Sequence, residues 1–181
     1  MDVTRRNNGG HVTPELELQI KGLLSNLDAL ALTMIAEAGG DWREGGSSVE
    51  ERLAVGAVVR NRVQTKKRWG TDFRSVCLAP RQFSCWNAGT DPNHVRLMAM
   101  AERLTLGVPT PDPLFMETAY LAKGLINGAI LDRTGGATSY YAPAAMKPAG
   151  SKPFWVFLNG KDGAEHVPTA VVGSQVFYRG V

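Results

Sequence analysis

Residues 53–59 read Leu53-Ala54-Val55-Gly56-Ala57-Val58-Val59, seven small or apolar side chains with no polar face at any helical phase. A helix that is apolar all round must be covered on every side. The stretch therefore predicts a buried central helix with the other elements wrapped around it. Its start is marked by Ser48-Val49-Glu50-Glu51, a capping box with Ser48 as N-cap and Glu51 at the third helical position, behind a turn of Gly45, Gly46 and Ser47. Its polar continuation, Arg60-Asn61-Arg62, reads as emergence from the core.

The elements around it carry their own punctuation. Thr13 before Pro14 is an N-cap followed by proline at the first helical position. The helix it opens runs toward Glu37, either broken near Gly22 or restarted at Ser25-Asn26, where Asp28 completes a second capping signal. Asp91-Pro92 and Asp112-Pro113 repeat the cap-then-proline signal and predict helices reaching about Leu106 and about Leu131. Residues 66–87 are irregular and read as loop. After Arg133 the chain turns rich in glycine, then proline. The segment 169–178 is short, β-prone and broken by Gly173, which predicts a strand or hairpin. Four helices and a small β element give an α+β chain, mainly helical, with residues 1–12 as a loose leader and 13–181 as a single catalytic domain.

Length, at 181 residues with 44% hydrophobic content, agrees with one core. Twenty basic against seventeen acidic residues leave a formal charge of +3, a mild bias toward anionic polymers that does not choose between nucleic acid and cell wall. No stretch approaches the ~18 apolar residues of a membrane helix, and the first residues lack the apolar core of a signal peptide. Export would then depend on other proteins. His11, His94 and His166 are scattered, no zinc-ligand spacing exists, and no metal or other cofactor is expected. Cys77 and Cys85 would close a small loop if bridged in an oxidising compartment; two buried free thiols are the alternative.

Glu37 is the residue on which function turns. Leu23, Leu27, Leu30 and Met34 follow three- and four-residue steps, and the next step lands on Glu37, just before Gly39 and Gly40 in C-cap position. A carboxyl on the core side and in the last helical turn has its ionised form disfavoured twice, by desolvation and by the helix dipole. A general acid working near neutral pH needs such a setting. A lone glutamate near a helix end is more often solvated or structurally paired. Phe83, Trp86, Tyr140 and Tyr141 taken singly also read as packing residues. Together, however, Glu37, the run Gln82-Phe83-Ser84-Cys85-Trp86 and the run Thr138-Ser139-Tyr140-Tyr141 supply one acid, amides and hydroxyls, and aromatic faces. Those are the needs of a carbohydrate site.

These segments resemble the SleB-type cell wall hydrolases, a family of spore cortex-lytic enzymes with phage and proteobacterial relatives. The resemblance runs through Met34-Ile35-Ala36-Glu37-Ala38-Gly39-Gly40, the run 53–63, Gln82-Phe83-Ser84-Cys85-Trp86, Gly136-Ala137-Thr138-Ser139-Tyr140-Tyr141 and the run 172–178, in family order. It implies a lysozyme-like α+β fold and cleavage of peptidoglycan between N-acetylmuramic acid and N-acetylglucosamine, typically by lytic transglycosylation. The family's catalytic glutamate falls on Glu37, its substrate loop on Gln82, Phe83 and Ser84 with Trp86 following, and its aromatic pair on Tyr140 and Tyr141 after Thr138. The chain departs from the family around Glu37, where Ala36 stands for the usual glycine and Ala38-Gly39-Gly40 for Ala-Arg-Gly.

A lytic transglycosylase can work with one acid, whereas hydrolysis generally uses two carboxyls. Second-acid candidates are Asp41, Glu44 and Glu50; Glu50 matches an acidic position of the family, yet a first helical turn favours any carboxylate. The competing readings are a hydrolytic muramidase, a noncatalytic peptidoglycan-binding module and, with Lys66-Lys67-Arg68 as its one basic run, a nucleic-acid-binding domain, the weakest of them. The expected partner is the glycan strand, with no nucleic acid and no membrane insertion, the protein acting as a monomer. The expected place of action is the periplasm or wall, with delivery by phage lysis machinery or a virion.

Overall fold

The computed structural model describes residues 12–38, 47–65, 68–88, 93–110, 112–158 and 163–181. Within them the order is α1 Pro14–Leu23, α2 Asn26–Glu37, α3 Val49–Gln64, α4 Phe73–Leu78, α5 His94–Thr105 and α6 Pro113–Ile126, then β1 Ser139–Tyr141, β2 Ala170–Val172 and β3 Gln175–Tyr178. Helix and strand segregate along the chain, so the class is α+β, with a mixed helical body and one small antiparallel sheet.

The chain restarts at Ser25, whose hydroxyl accepts the Asp28 amide, so α1 and α2 are separate helices. The restart takes Leu23 out of the stripe predicted to lead to Glu37: it ends α1 and is exposed, while Leu30 and Met34 are fully buried. Helix α2 is the true hub, packing on α3, α4, α5 and α6. Eight consecutive residues, 29–36, are buried, and the one hydroxyl among them, Thr33, donates to the Ala29 carbonyl. Helix α3 shares the centre, pressed to α2 and α6 at Gly56, where an added Cβ would lie 2.4 Å from Leu125 Cδ1 and 2.9 Å from Met34 Sδ.

Several boundaries differ from expectation. Asn61 and Arg62 do not leave the core; both are buried, as is Arg52, whose guanidinium binds the Ser47 carbonyl and the Glu117 carboxylate. Helix α6 stops at Ile126, short of Leu131, because Gly128 takes a left-handed turn and Ile130 folds back against Gly124. Residues 73–78 are helical, opened by a box in which Asp72 accepts the Ser75 amide and Ser75 accepts the Asp72 amide. Helix α5 begins at His94 after Asn93, and Asp91-Pro92 lies outside the described residues, as do Gly39, Gly40 and the leader 1–11.

The sheet has the order β1-β3-β2, with Tyr140 opposite Phe177 and Ala170 opposite the same residue on the other side. The hairpin expected over 169–178 is β2 and β3. The run through Tyr140 and Tyr141, in the glycine-rich stretch after Arg133, adds the third strand. One sheet face closes on α3 through Phe177, Tyr140, Ala170 and Val172 against Ala54 and Val58. Strand alternation sends Tyr141 to the opposite face. There it meets Trp155 and Tyr178 at ring separations of 6.0 and 6.2 Å.

Cys77 and Cys85 are free thiols, so the bridge held open between them is absent. Both sit in the core with no exposure, and burial pushes the Cys77 thiol up to about 12, which keeps it protonated and inert. Among the described residues no helix is long and apolar enough to cross a membrane.

Candidate active site

Glu37 ends α2 half-buried, and two separate segments, the turn 84–86 and strand β1, turn donors toward its carboxylate. Oε1 accepts the Ser84 hydroxyl at 3.2 Å and the Cys85 amide at 3.0 Å; Oε2 accepts the Tyr140 hydroxyl at 3.0 Å. The Glu37 carbonyl, left open by the end of the helix, accepts the Gln175 side-chain amide at 2.8 Å. Burial first, and the Glu37 carboxylate second, hold the Tyr140 phenol well above its ordinary value, so it remains a donor.

The turn 84–86 is fixed from beneath. The Trp86 indole N–H donates to Thr33 Oγ1 at 2.8 Å, one helical turn before Glu37. Lys21 Nζ donates to the Trp86 carbonyl at 2.7 Å, and His94 Nδ1 lies 2.9 Å from the Cys85 carbonyl. A carbonyl only accepts, so that contact puts a proton on His94 Nδ1. Phe83 and Trp86 are 2% and 3% exposed. The two rings expected to offer faces to a sugar are core plugs that seat the turn, leaving Ser84 exposed at the site.

The remaining expected residues separate. Gln82 is half-buried, its oxygen accepting from Arg62 Nη1 at 3.2 Å. Thr138 is buried, its hydroxyl accepting the Gly180 amide and its carbonyl the Arg62 Nε–H, so it braces the strand and does not face the acid. Tyr141 lies on the far side of the sheet from Tyr140. Glu50 is exposed on a groove of about 590 Å³, lined also by Leu53, Ala54, Ile130, Arg133 and Val172, with Glu37 not among its described walls. Asp41 and Glu44 lie outside the described residues.

Two supporting residues escaped the sequence analysis. Arg62 is buried between the Trp69 and Phe83 rings, 4.7 and 4.9 Å from their centroids. Burial lowers its proton affinity, with Tyr140, Cys77 and Glu37 acting in the opposite direction. Asp132 takes the amide and hydroxyl of Thr134, the Gly136 amide and the Asn61 side chain, which pins the approach to β1 onto α3. Partial burial opposes ionisation of Asp132, but these hydrogen bonds outweigh it and leave the carboxyl below the usual aspartate range. A depressed folded-state value adds stability that is present above the unfolded value of about 3.9 and is lost as pH falls through it and the folded value. Asp132→Asn is thus expected to cost on the order of 1–2 kcal/mol at pH 7 and much less near pH 3. Urea unfolding at the two pH values measures the difference.

A family model described as cell wall hydrolase matches residues 46–178, well over half of the chain. The chain belongs to the cell wall hydrolase family. No curated protein and no solved structure matches it. Membership makes peptidoglycan the substrate class of this cell wall hydrolase. The match begins after α2, so Glu37 itself lies outside it. What ties Glu37 to the matched region is geometry: Ser84, Cys85, Tyr140 and Gln175, the donors to Glu37 named above, fall within 46–178.

Proposed function

We propose that this cell wall hydrolase cuts the glycan strand of peptidoglycan between N-acetylmuramic acid and N-acetylglucosamine, as a lytic transglycosylase with Glu37 as its acid and base. The observation that carries the reading is one carboxyl, half open at a helix end, gripped by a hydroxyl, an amide and a phenol from segments far apart in sequence. In the first step the Glu37 carboxylic acid gives its proton to the glycosidic oxygen as the bond from muramic acid C1 breaks, and the N-acetylglucosamine leaves with a free hydroxyl. The Glu37 carboxylate then takes the proton of the muramic acid C6 hydroxyl, whose oxygen closes on C1 to form a 1,6-anhydro ring. No water is consumed, the acid is regenerated, and ring closure within one sugar has the advantage of an intramolecular nucleophile.

The three donors suit the half of the cycle in which the carboxylate is ionised, since hydrogen bonds to a charged acceptor are the strong ones. Ser84, exposed beside the acid, is the donor a sugar displaces most easily. A lysozyme-like architecture agrees with a helix that ends on the acid beside a small sheet.

The test is digestion of purified walls in water enriched in ¹⁸O, with mass spectrometry of the released muropeptides. The expected products carry anhydro ends, each lighter by one water than a reducing end, and no ¹⁸O. Reducing ends labelled with ¹⁸O would make the enzyme a hydrolytic muramidase. Protein that pellets with walls and releases nothing would make it a binding module.

A further inference from the structure

We propose that Arg62 is the positioning residue of this site, holding the turn 84–86 and strand β1 at the spacing that puts their donors on Glu37. Its Nε–H donates to the Thr138 carbonyl at 2.7 Å and its Nη1 donates to Gln82 Oε1 at 3.2 Å. Thr138 stands two residues before Tyr140, and Gln82 two residues before Ser84 and three before Cys85. One guanidinium fork therefore grips both arms of the site just upstream of the groups that reach the carboxylate.

The way Arg62 is buried separates this role from plain packing. It is 7% exposed, and among the described residues its contacts are neutral: two oxygens and the faces of Trp69 and Phe83. Removing a guanidinium from water with no carboxylate in ion-pair contact, Glu37 acting on it only through space, costs free energy that an apolar side chain of similar volume would not. That expense is not explained by stability. A flat fork with donors in two directions, sandwiched between rings, also has no equivalent in lysine, whose ammonium is a compact point charge. Phe83 serves the same end, since its ring lies under the guanidinium while its neighbours in sequence carry the donors.

The activity arm of this proposal rests on Glu37 as the acid; its structural arm does not. The experiment compares Arg62→Lys, Arg62→Gln and Gln82→Ala with the parent protein, using ¹H–¹⁵N spectra and kinetics on soluble glycan strands. The Cys85 amide proton is expected to resonate downfield, as an N–H given to a carboxylate does, and Glu37→Gln supplies its position when that acceptor is neutral. Both Arg62 variants are expected to move the Cys85 amide toward the Glu37→Gln position. Gln82→Ala, which removes one arm of the fork at a half-buried residue, moves it by a smaller amount. In step with this, kcat falls about 10–100-fold for Arg62→Lys with KM changed little, as a misplacement near 1 Å costs. A Cys85 amide that stays at the parent position in folded Arg62→Lys or in Gln82→Ala overturns the proposal, as does full kcat in the Arg62 variants. If the parent releases nothing from walls, the functional reading fails, and the amide positions still decide the role of Arg62.

Discussion

Glu37→Gln is expected to lower glycan cleavage by about 10²–10⁴-fold, the usual contribution of a general acid and base, while leaving the fold intact. Glutamine keeps the length and shape of the side chain, and its oxygen still accepts from the Ser84 hydroxyl and the Cys85 amide. Only Tyr140 meets a changed partner, and a phenol can turn from donor to acceptor. What glutamine cannot do is release and recover a proton at the glycosidic oxygen. Muropeptide release from purified walls, with thermal unfolding alongside, measures both halves of the expectation. A variant that unfolds like the parent and clears walls at the parent rate would remove Glu37 from the chemistry.

The second large effect is on stability. Gly56→Val is expected to cost about 1–3 kcal/mol, because its side chain would be driven into Leu125 of α6 and Met34 of α2 at a point where three helices meet. For a chain of this length that is a fall in Tm of roughly 3–10 °C. Gly56→Ala sets two effects against each other, a helix-propensity gain of about 1 kcal/mol and a methyl placed 2.4 Å from Leu125 Cδ1. The contact wins, since the ends of the Leu125 and Met34 side chains have to move inside a fully buried core to admit it. Gly22→Ala in α1, where an added Cβ meets nothing within 4 Å, is the control and gains stability. A Gly56→Val protein that melts with the parent would mean that α3 does not lie this close to its neighbours.

Features encoded locally were legible from the residues. Thr13, Ser25, Ser48 and Asp112 all cap helices as their side chains announce, and Gly173 turns the hairpin. Helix α4 was missed although Asp72 and Ser75 form a box, because six residues give no period to detect. The depth of Asn61 and Arg62 was hidden for a related reason: where every neighbouring position is apolar, periodicity cannot say which side of the helix faces inward. The aromatics show a second limit. Composition marks Phe83, Trp86, Tyr140 and Tyr141 as important, but only the tertiary fold decides that the first two seat the turn, the third reaches the acid and the fourth leaves for the other side of the sheet. Likewise Glu37 stood out in sequence, whereas its partners at separations of 47, 48 and 103 residues did not.

Thr33 and Glu37 are four residues apart on α2, and both engage the same turn, one through the Trp86 indole and the other through the Cys85 amide. The acid and the tryptophan anchor are thus rungs of a single ladder about 6 Å long, and the lower rung is set in the core. Moving the Cys85 backbone away from Glu37 would strain the anchor of a fully packed indole. The Cys85 contact on Glu37 and the core accordingly belong to one cooperative unit, and the two are expected to be lost in the same transition.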